Sequence, residues 1–439
     1  MSLKNIVRSA AVGGASLALA LGLTACSRDY TVAWVYSVSA SNGTISAYGV
    51  DYETGILNQV SGSPFTTPFT NPVKVVAAPN NKFIYVVGGS QDAQVEEFAV
   101  GTDGKLYGEH TYNLTGTSPN TSTGSNQAPV PVGVTVDTTG TFLYVAFTYQ
   151  SGYSNASPGP GGLSIFPINA DNSLGTPTTL NVGSNPVGIA VSTPVCVATG
   201  SALIASNPTC TGVTGGGSGI YNTYAYVLDQ ETTLAKPTVL GYAQNMTTGA
   251  LTPLSQTTYS ATLKTYQGVA AGVVPSAIAI DGTARYVYVT DEQQNVVLGF
   301  QIARATTGNL TPLSGSPFGT GQFPVNLTID PRAEYVYTAN FNSSTVSSFA
   351  INQATGNLTS VAGSTFATAT GPTCITIEPA LGQFFYTSDY QNSSLSGAQL
   401  NANTGALTAV ADTPFPTSSL PSCLVSVANG EHASSVLTP

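Results

Sequence analysis

Residues 324–371 read PVNLTIDPRAEYVYTANFNSSTVSSFAINQATGNLTSVAGSTFATATG, and this 48-residue stretch decides the fold. Val325 to Ile329 alternates apolar and polar side chains, the pattern of a half-buried strand. Asp330-Pro331-Arg332-Ala333 is a turn: aspartate bonds nearby backbone amides and proline presets φ. Tyr335 to Ala339 is a second strand, rich in aromatic and β-branched residues. A polar loop, Asn340 to Ser344, leads to a third strand containing Val346 to Ile351. Thr355-Gly356-Asn357 turns the chain into a fourth, Leu358 to Val361. Four short antiparallel strands in a unit of this length make one blade of a propeller.

The unit repeats. Its leading proline recurs at Pro72, Pro131, Pro186, Pro275, Pro324, Pro372 and Pro421. Its second-strand tyrosine recurs at Tyr36, Tyr85, Tyr144, Tyr226, Tyr288, Tyr337 and Tyr386. A turn glycine recurs at Gly55, Gly104, Gly249, Gly308, Gly356 and Gly405, while the copy near Asn172 departs from the pattern. Gly-Ser-Pro-Phe occurs at Gly62 to Phe65 and Gly315 to Phe318, with looser versions at Gly363 to Phe366 and Asp412 to Phe415. The first copy lacks its opening strand, and the last segment, Pro421 to Ala428, is an opening strand with nothing after it. The two fragments complete one another, and closing the ring removes exposed strand edges. The expected fold is all-β, a seven-bladed propeller over residues 33–430, with blade 1 closed by the C-terminal strand and a tail at 431–439.

The N-terminus reads as a targeting segment. Lys4 and Arg8 precede an apolar run, Ala10 to Leu23, that is short for a membrane span. Leu23-Thr24-Ala25-Cys26 matches a bacterial lipoprotein cleavage box, so residues 1–25 are expected to be a signal peptide, Cys26 the lipidated residue and 26–32 a tether. An ordinary secretory signal with an incidental cysteine is the alternative. The expected location is extracytoplasmic, periplasmic or at the cell surface, on a lipid anchor; Ser27 after the cysteine favours the outer membrane.

Only 7% of residues are charged and the net charge is −10, which argues against nucleic acid as a partner. Long excursions fall at 115–128, 149–162 and 194–218; loops of such length are usually functional or irregular. Cys196 and Cys210 lie in the last of these, where a disulfide would staple a loop with little core of its own. Cys374 and Cys423 occupy one position, third in Pro-x-Cys, on neighbouring opening strands. Bridging them would lock the closure. Against this, equivalent side chains point the same way round a ring, so two buried thiols are the alternative; Gly133, Gly188 and Ala277 are their counterparts.

Chemistry is sparsely marked. The two histidines, His110 and His432, have no neighbouring serine–aspartate pair, and no zinc-ligand set or nucleophile elbow is present. One constellation stands out: Asp229, Asp291, Asn340 and Asp389 close the second strand in blades 4 to 7, an arc around one mouth of the channel. Such an oxygen-rich arc suits Ca²⁺ or a polyol; the alternative is that these residues cap turns. Phe341 and Tyr390 beside it either stack on a sugar or pack between blades. Asp137, Asp281, Asp330 and Glu378 close the opening strands at the other face and read as structural.

At Tyr288-Val-Thr-Asp291, Tyr337-Thr-Ala-Asn340 and Tyr386-Thr-Ser-Asp389 the chain resembles the Tyr-Val-Thr-Asn propeller repeats of surface-layer-type proteins. The whole unit also resembles the seven-bladed lactonase family, which includes 6-phosphogluconolactonase. That resemblance implies hydrolysis of a cyclic ester by polar channel residues, although no catalytic set can be carried over. The expectation is a monomeric scaffold at the cell envelope that binds an envelope protein or a carbohydrate-like ligand without a resident cofactor. Lactone hydrolysis through an arc carboxylate and a purely structural surface role are the alternatives.

Overall fold

The computed structural model describes residues 30–89, 92–114, 129–148, 161–211, 213, 217–230, 236–263 and 265–430. The signal segment with Cys26, most of the tether, the 115–128 excursion, nearly all of the 149–162 excursion and the tail fall outside them. Among the described residues no helix is long and apolar enough to cross a membrane.

Seven blades form the ring, as the repeats predict; each is a path of four strands, and four of the blades add a short fifth. Closure is the register between Thr31–Ser39 and Pro421–Ala428, which runs from Ala33 opposite Ala428 to Ser39 opposite Pro421. The apolar core lies between blades. Tyr226 and Leu228 of blade 4, for example, pack against Val287 and Val289 of blade 5. Second strands are buried from end to end, as in Tyr286–Asp291 and Tyr335–Asn340.

The two sequence signatures turn out to be partners. Each blade's tyrosine donates its phenolic hydrogen to the turn carbonyl of the next blade. Tyr36 reaches Gly104 O at 2.9 Å, Tyr144 Gly249 O at 3.0 Å, Tyr288 Gly356 O at 2.7 Å and Tyr337 Gly405 O at 2.9 Å. Tyr226 reaches Gly308 O, and Tyr386 closes the circle on Gly55 O at 2.6 Å. Blade 2 shows why the third copy can depart from the pattern. Tyr85 bonds Asn172 O at 2.9 Å, and Asn172 holds φ +72° in the glycine's place. Asparagine is among the few residues that tolerate this backbone. At Gly356, with φ +73°, a Cβ would lie 2.4 Å from Tyr286 Cδ1, so the turn needs its glycine.

Hydroxyls add a second clasp near the channel. Ser276, Thr373 and Ser422, each following the leading proline, donate to the proline carbonyl of the next blade, Pro324, Pro421 and Pro72. At the other face Asp137, Asp281, Asp330 and Glu378 accept backbone amides of the following turn, for example Glu334 and Tyr335 at Asp330 Oδ1, 2.7 and 2.8 Å.

Two features go beyond the sequence reading. The blade-4 excursion is not simply a loop: Val195–Ala198, Thr209–Thr211 and Ser218–Asn222 form a small sheet of their own. Cys196 is bonded to Cys210 within it. Cys374 is bonded to Cys423, with 5.0 Å between Cα atoms. The sequence leaves this pair open between a bridge and two thiols; the bridge forms because opening strands converge on the channel. A Cβ on Gly133 would sit 3.0 Å from Val187 O and 3.1 Å from Gly188 Cα. At that separation, small side chains on adjacent strands meet across the seam.

Candidate functional site

The arc residues end their strands where the sequence places them, and all four are buried. Their polar atoms are turned to the protein. Asp229 accepts the Ser184 and Asn185 amides, the latter at 2.8 Å. Asp291 accepts Val273 and Val274 on one oxygen and Gln293 and Gln294 on the other, at 3.1 and 2.9 Å for the last two. Asn340 donates to Thr345 and Ser347 and accepts from Thr338. Asp389 accepts hydroxyls of Thr387 at 2.8 Å and Ser396 at 2.7 Å. Burial pushes the Asp389 carboxyl up to about 7 against those donors. Asp229 and Asp291 thus pin the segments that enter blades 4 and 5, while Asn340 and Asp389 tie the second and third strands of blades 6 and 7. Among the described residues no three His, Cys, Asp or Glu side chains gather to hold a metal ion.

The unspent chemistry lies one residue further on. A hollow of ≈ 470 Å³ opens at the channel rim between blades 5 and 6, lined by Val274, Glu292, Gln293, Asn295, Gln322, Phe323 and Asn342. That volume is in the range of small-molecule sites. Glu292 is half-buried, and its carboxylate has no hydrogen-bond or ion-pair partner among the described residues. Burial, and secondarily the adjacent Asp291, hold it above the usual glutamate range. Asn295 spends Oδ1 on the Phe323 amide at 2.7 Å, which leaves its Nδ2 hydrogens available.

Phe323 takes φ +58°, a conformation a bulky residue rarely adopts. Strain of this kind costs on the order of 1 kcal/mol and gathers at ligand sites. Two bonds fix it, from its own amide to Asn295 and from the Phe341 amide to its carbonyl at 2.9 Å. Phe341 packs against it from outside the hollow's lining, with ring centroids 6.4 Å apart. Tyr390 is half-buried at the start of a single turn in blade 7 and does not line this hollow. Of the sequence-predicted candidates, then, Asp291, Asn340 and Phe341 support the hollow, while Asp229, Asp389 and Tyr390 lie elsewhere on the arc. Glu292 lies one residue beyond the strand-closing position that repeats between blades, so the repeat does not mark it; the Asp291-Glu292 doublet is its one signal in the sequence.

Residues 221–377 match the lactonase family, described as a 7-bladed beta-propeller. The chain is a seven-bladed propeller that carries a lactonase-like segment. Its fold is shared along almost the whole ring. A proposed 6-phosphogluconolactonase from Bacteroides fragilis superposes with a TM-score of 0.61 at 18% identity, covering 91% of this chain and 99% of that one. The periplasmic gluconolactonase of Pseudomonas aeruginosa gives 0.62 at 15% identity, with 91% and 99% covered. A protein from Lactobacillus plantarum gives 0.61 at 14% identity, with 90% and 99% covered. At these identities the likeness is one of fold. No curated protein matches the chain at the sequence level.

Proposed function

We propose that this lactonase-type propeller hydrolyses a sugar-like cyclic ester in the rim hollow, with Glu292 as general base. The observation that carries the reading is an unpartnered, desolvated carboxylate set among free amides and a strained aromatic wall. Ionised Glu292 takes a proton from water as the water oxygen bonds to the lactone carbonyl carbon. Amide hydrogens of Asn295 and its neighbours meet the oxyanion. The ring C–O bond then breaks, and the departing alkoxide recovers the proton from the Glu292 carboxyl, leaving an open hydroxy acid. Phe323, backed by Phe341, offers an apolar face to the sugar ring.

The two disulfides support placement in an oxidising, extracytoplasmic compartment. Lipid anchoring at Cys26 belongs to the same proposal. A panel of lactones, including gluconolactone and its 6-phosphate, followed by acid release with and without chelator, tests the reading. Wild type should turn over at least one lactone, and Glu292→Gln should lose about 10²–10⁴-fold in kcat while still binding it. Binding without turnover in every condition would replace the hydrolase with the envelope scaffold. Activity lost only with chelator would move the chemistry to a metal such as Ca²⁺.

A further inference from the structure

The central channel carries chemistry that the rim hollow does not use. At the third position of the opening strands the wall presents small or neutral side chains in six blades and Lys74 in blade 2. Lys74 is the one charged residue lining a channel cavity of ≈ 270 Å³, among the described residues. Its amine reaches past blade 1 to Cys374 Sγ, a weak acceptor at 3.9 Å. No carboxylate lies within ion-pair distance of it among the described residues. Cys374 and Cys423 are bonded to one another and carry no charge.

The other polar groups of the wall show the same bias. On the far side of the ring Asn326 accepts the Ile375 amide on Oδ1 at 3.2 Å, so its two Nδ2 hydrogens remain. Ser276 and Thr376 are tied to Pro324 O and Ser426 Oγ. What the wall has left to offer is donors and one cation. A half-buried cation with no counter-charge is unfavourable by itself, and desolvation pushes the Lys74 amine down accordingly.

We propose that the channel is a binding site for a small oxyanion, a carboxylate or a phosphate, held by Lys74 and the Asn326 amide. The cavity equals the share of roughly nine waters at about 30 Å³ each, which fits a small anion and excludes a polymer. Lys74 lies two residues inward from Pro72, so the anion enters from the arc face. This site is separate from the Glu292 hollow and stands whether or not that hollow is catalytic. Binding requires the ammonium form, so affinity falls as pH rises through the lowered Lys74 value. No other group that titrates lines the cavity among the described residues.

Calorimetric titration with inorganic phosphate and, separately, with gluconate at about pH 6 and about pH 9 tests this and shows which oxyanion class is preferred. Wild type should bind one anion per chain, more weakly at the higher pH. Lys74→Met should weaken binding at least about tenfold. Asn326→Asp keeps the acceptor for Ile375 but faces the anion with a negative charge, and should abolish binding without lowering the melting temperature; it decides the matter alone if Lys74→Met does not fold. Three results would overturn the proposal: no saturable binding by wild type, unchanged affinity in Lys74→Met, or binding lost instead in Arg304→Ala. Arg304 shares a hollow on the opposite face with Arg285 and is the competing anion site.

Discussion

Replacing Asp389 by asparagine tests how the arc is built. The Asp389 carboxyl is buried among the hydroxyls of Thr387, Ser394 and Ser396, and burial raises it from 3.8 to about 7. Between those values the native chain holds a proton that the unfolded chain releases. This group's contribution to stability is therefore complete below the unfolded value, declines as pH rises, and is gone above about 7. A span of about 3 units at 1.36 kcal/mol each gives about 4 kcal/mol. Asparagine cannot ionise, and blade 6 already shows that it fits, because Asn340 makes the corresponding bonds to Thr338 and Ser347 at 3.0 Å each. Asp389→Asn should match wild type near pH 4 and exceed it by up to about 4 kcal/mol near pH 8. Urea unfolding of both proteins across that range, followed by fluorescence, measures the difference. Parallel stability profiles, or a variant weaker than wild type at pH 8, would refute the account of a carboxyl held neutral by burial.

Tyr288→Phe leaves Gly356 O without its donor and should cost about 1–3 kcal/mol in chemical denaturation. Tyr242→Phe is its control: that hydroxyl is buried with no hydrogen-bond partner among the described residues, and removing it should be neutral or stabilising. If turnover is found, the kcat of wild type should rise with pH through a value above the ordinary glutamate 4.5, since Glu292 must be ionised to act. Paired Cys374→Ala and Cys423→Ala should lower the urea midpoint by an amount consistent with about 2–4 kcal/mol, whereas paired Cys196→Ala and Cys210→Ala should loosen only the small blade-4 sheet, seen as local proteolysis.

The architecture was legible because its constraints are local and repeated. Leading prolines, buried tyrosines and turn glycines recur once per blade, and the terminal fragments declare the closure. What joins those marks was not legible, since each tyrosine's partner lies in the following blade, 68 residues away for Tyr36, Tyr288 and Tyr337. Asn172 looked like a departure until its backbone was seen standing in for glycine. The arc was found in sequence, but its hydrogen bonds turn inward, a matter of side-chain direction that spacing does not encode. Lys74 escaped notice because its counterparts are glycine, alanine, asparagine and cysteine, so no shared residue type marks that ring. The Glu292 hollow is assembled from four separate loops and has no linear signature.

Sharing blade 1 between the two ends of the chain has a consequence for biogenesis. Ala33 cannot meet Ala428 until the last strand has left the ribosome. The ring therefore cannot close until the end of the chain has been synthesised. Any product cut short before Pro421 would carry a bare edge from Thr31 to Ser39, and quality-control proteases would have a ready means of telling it from the finished molecule.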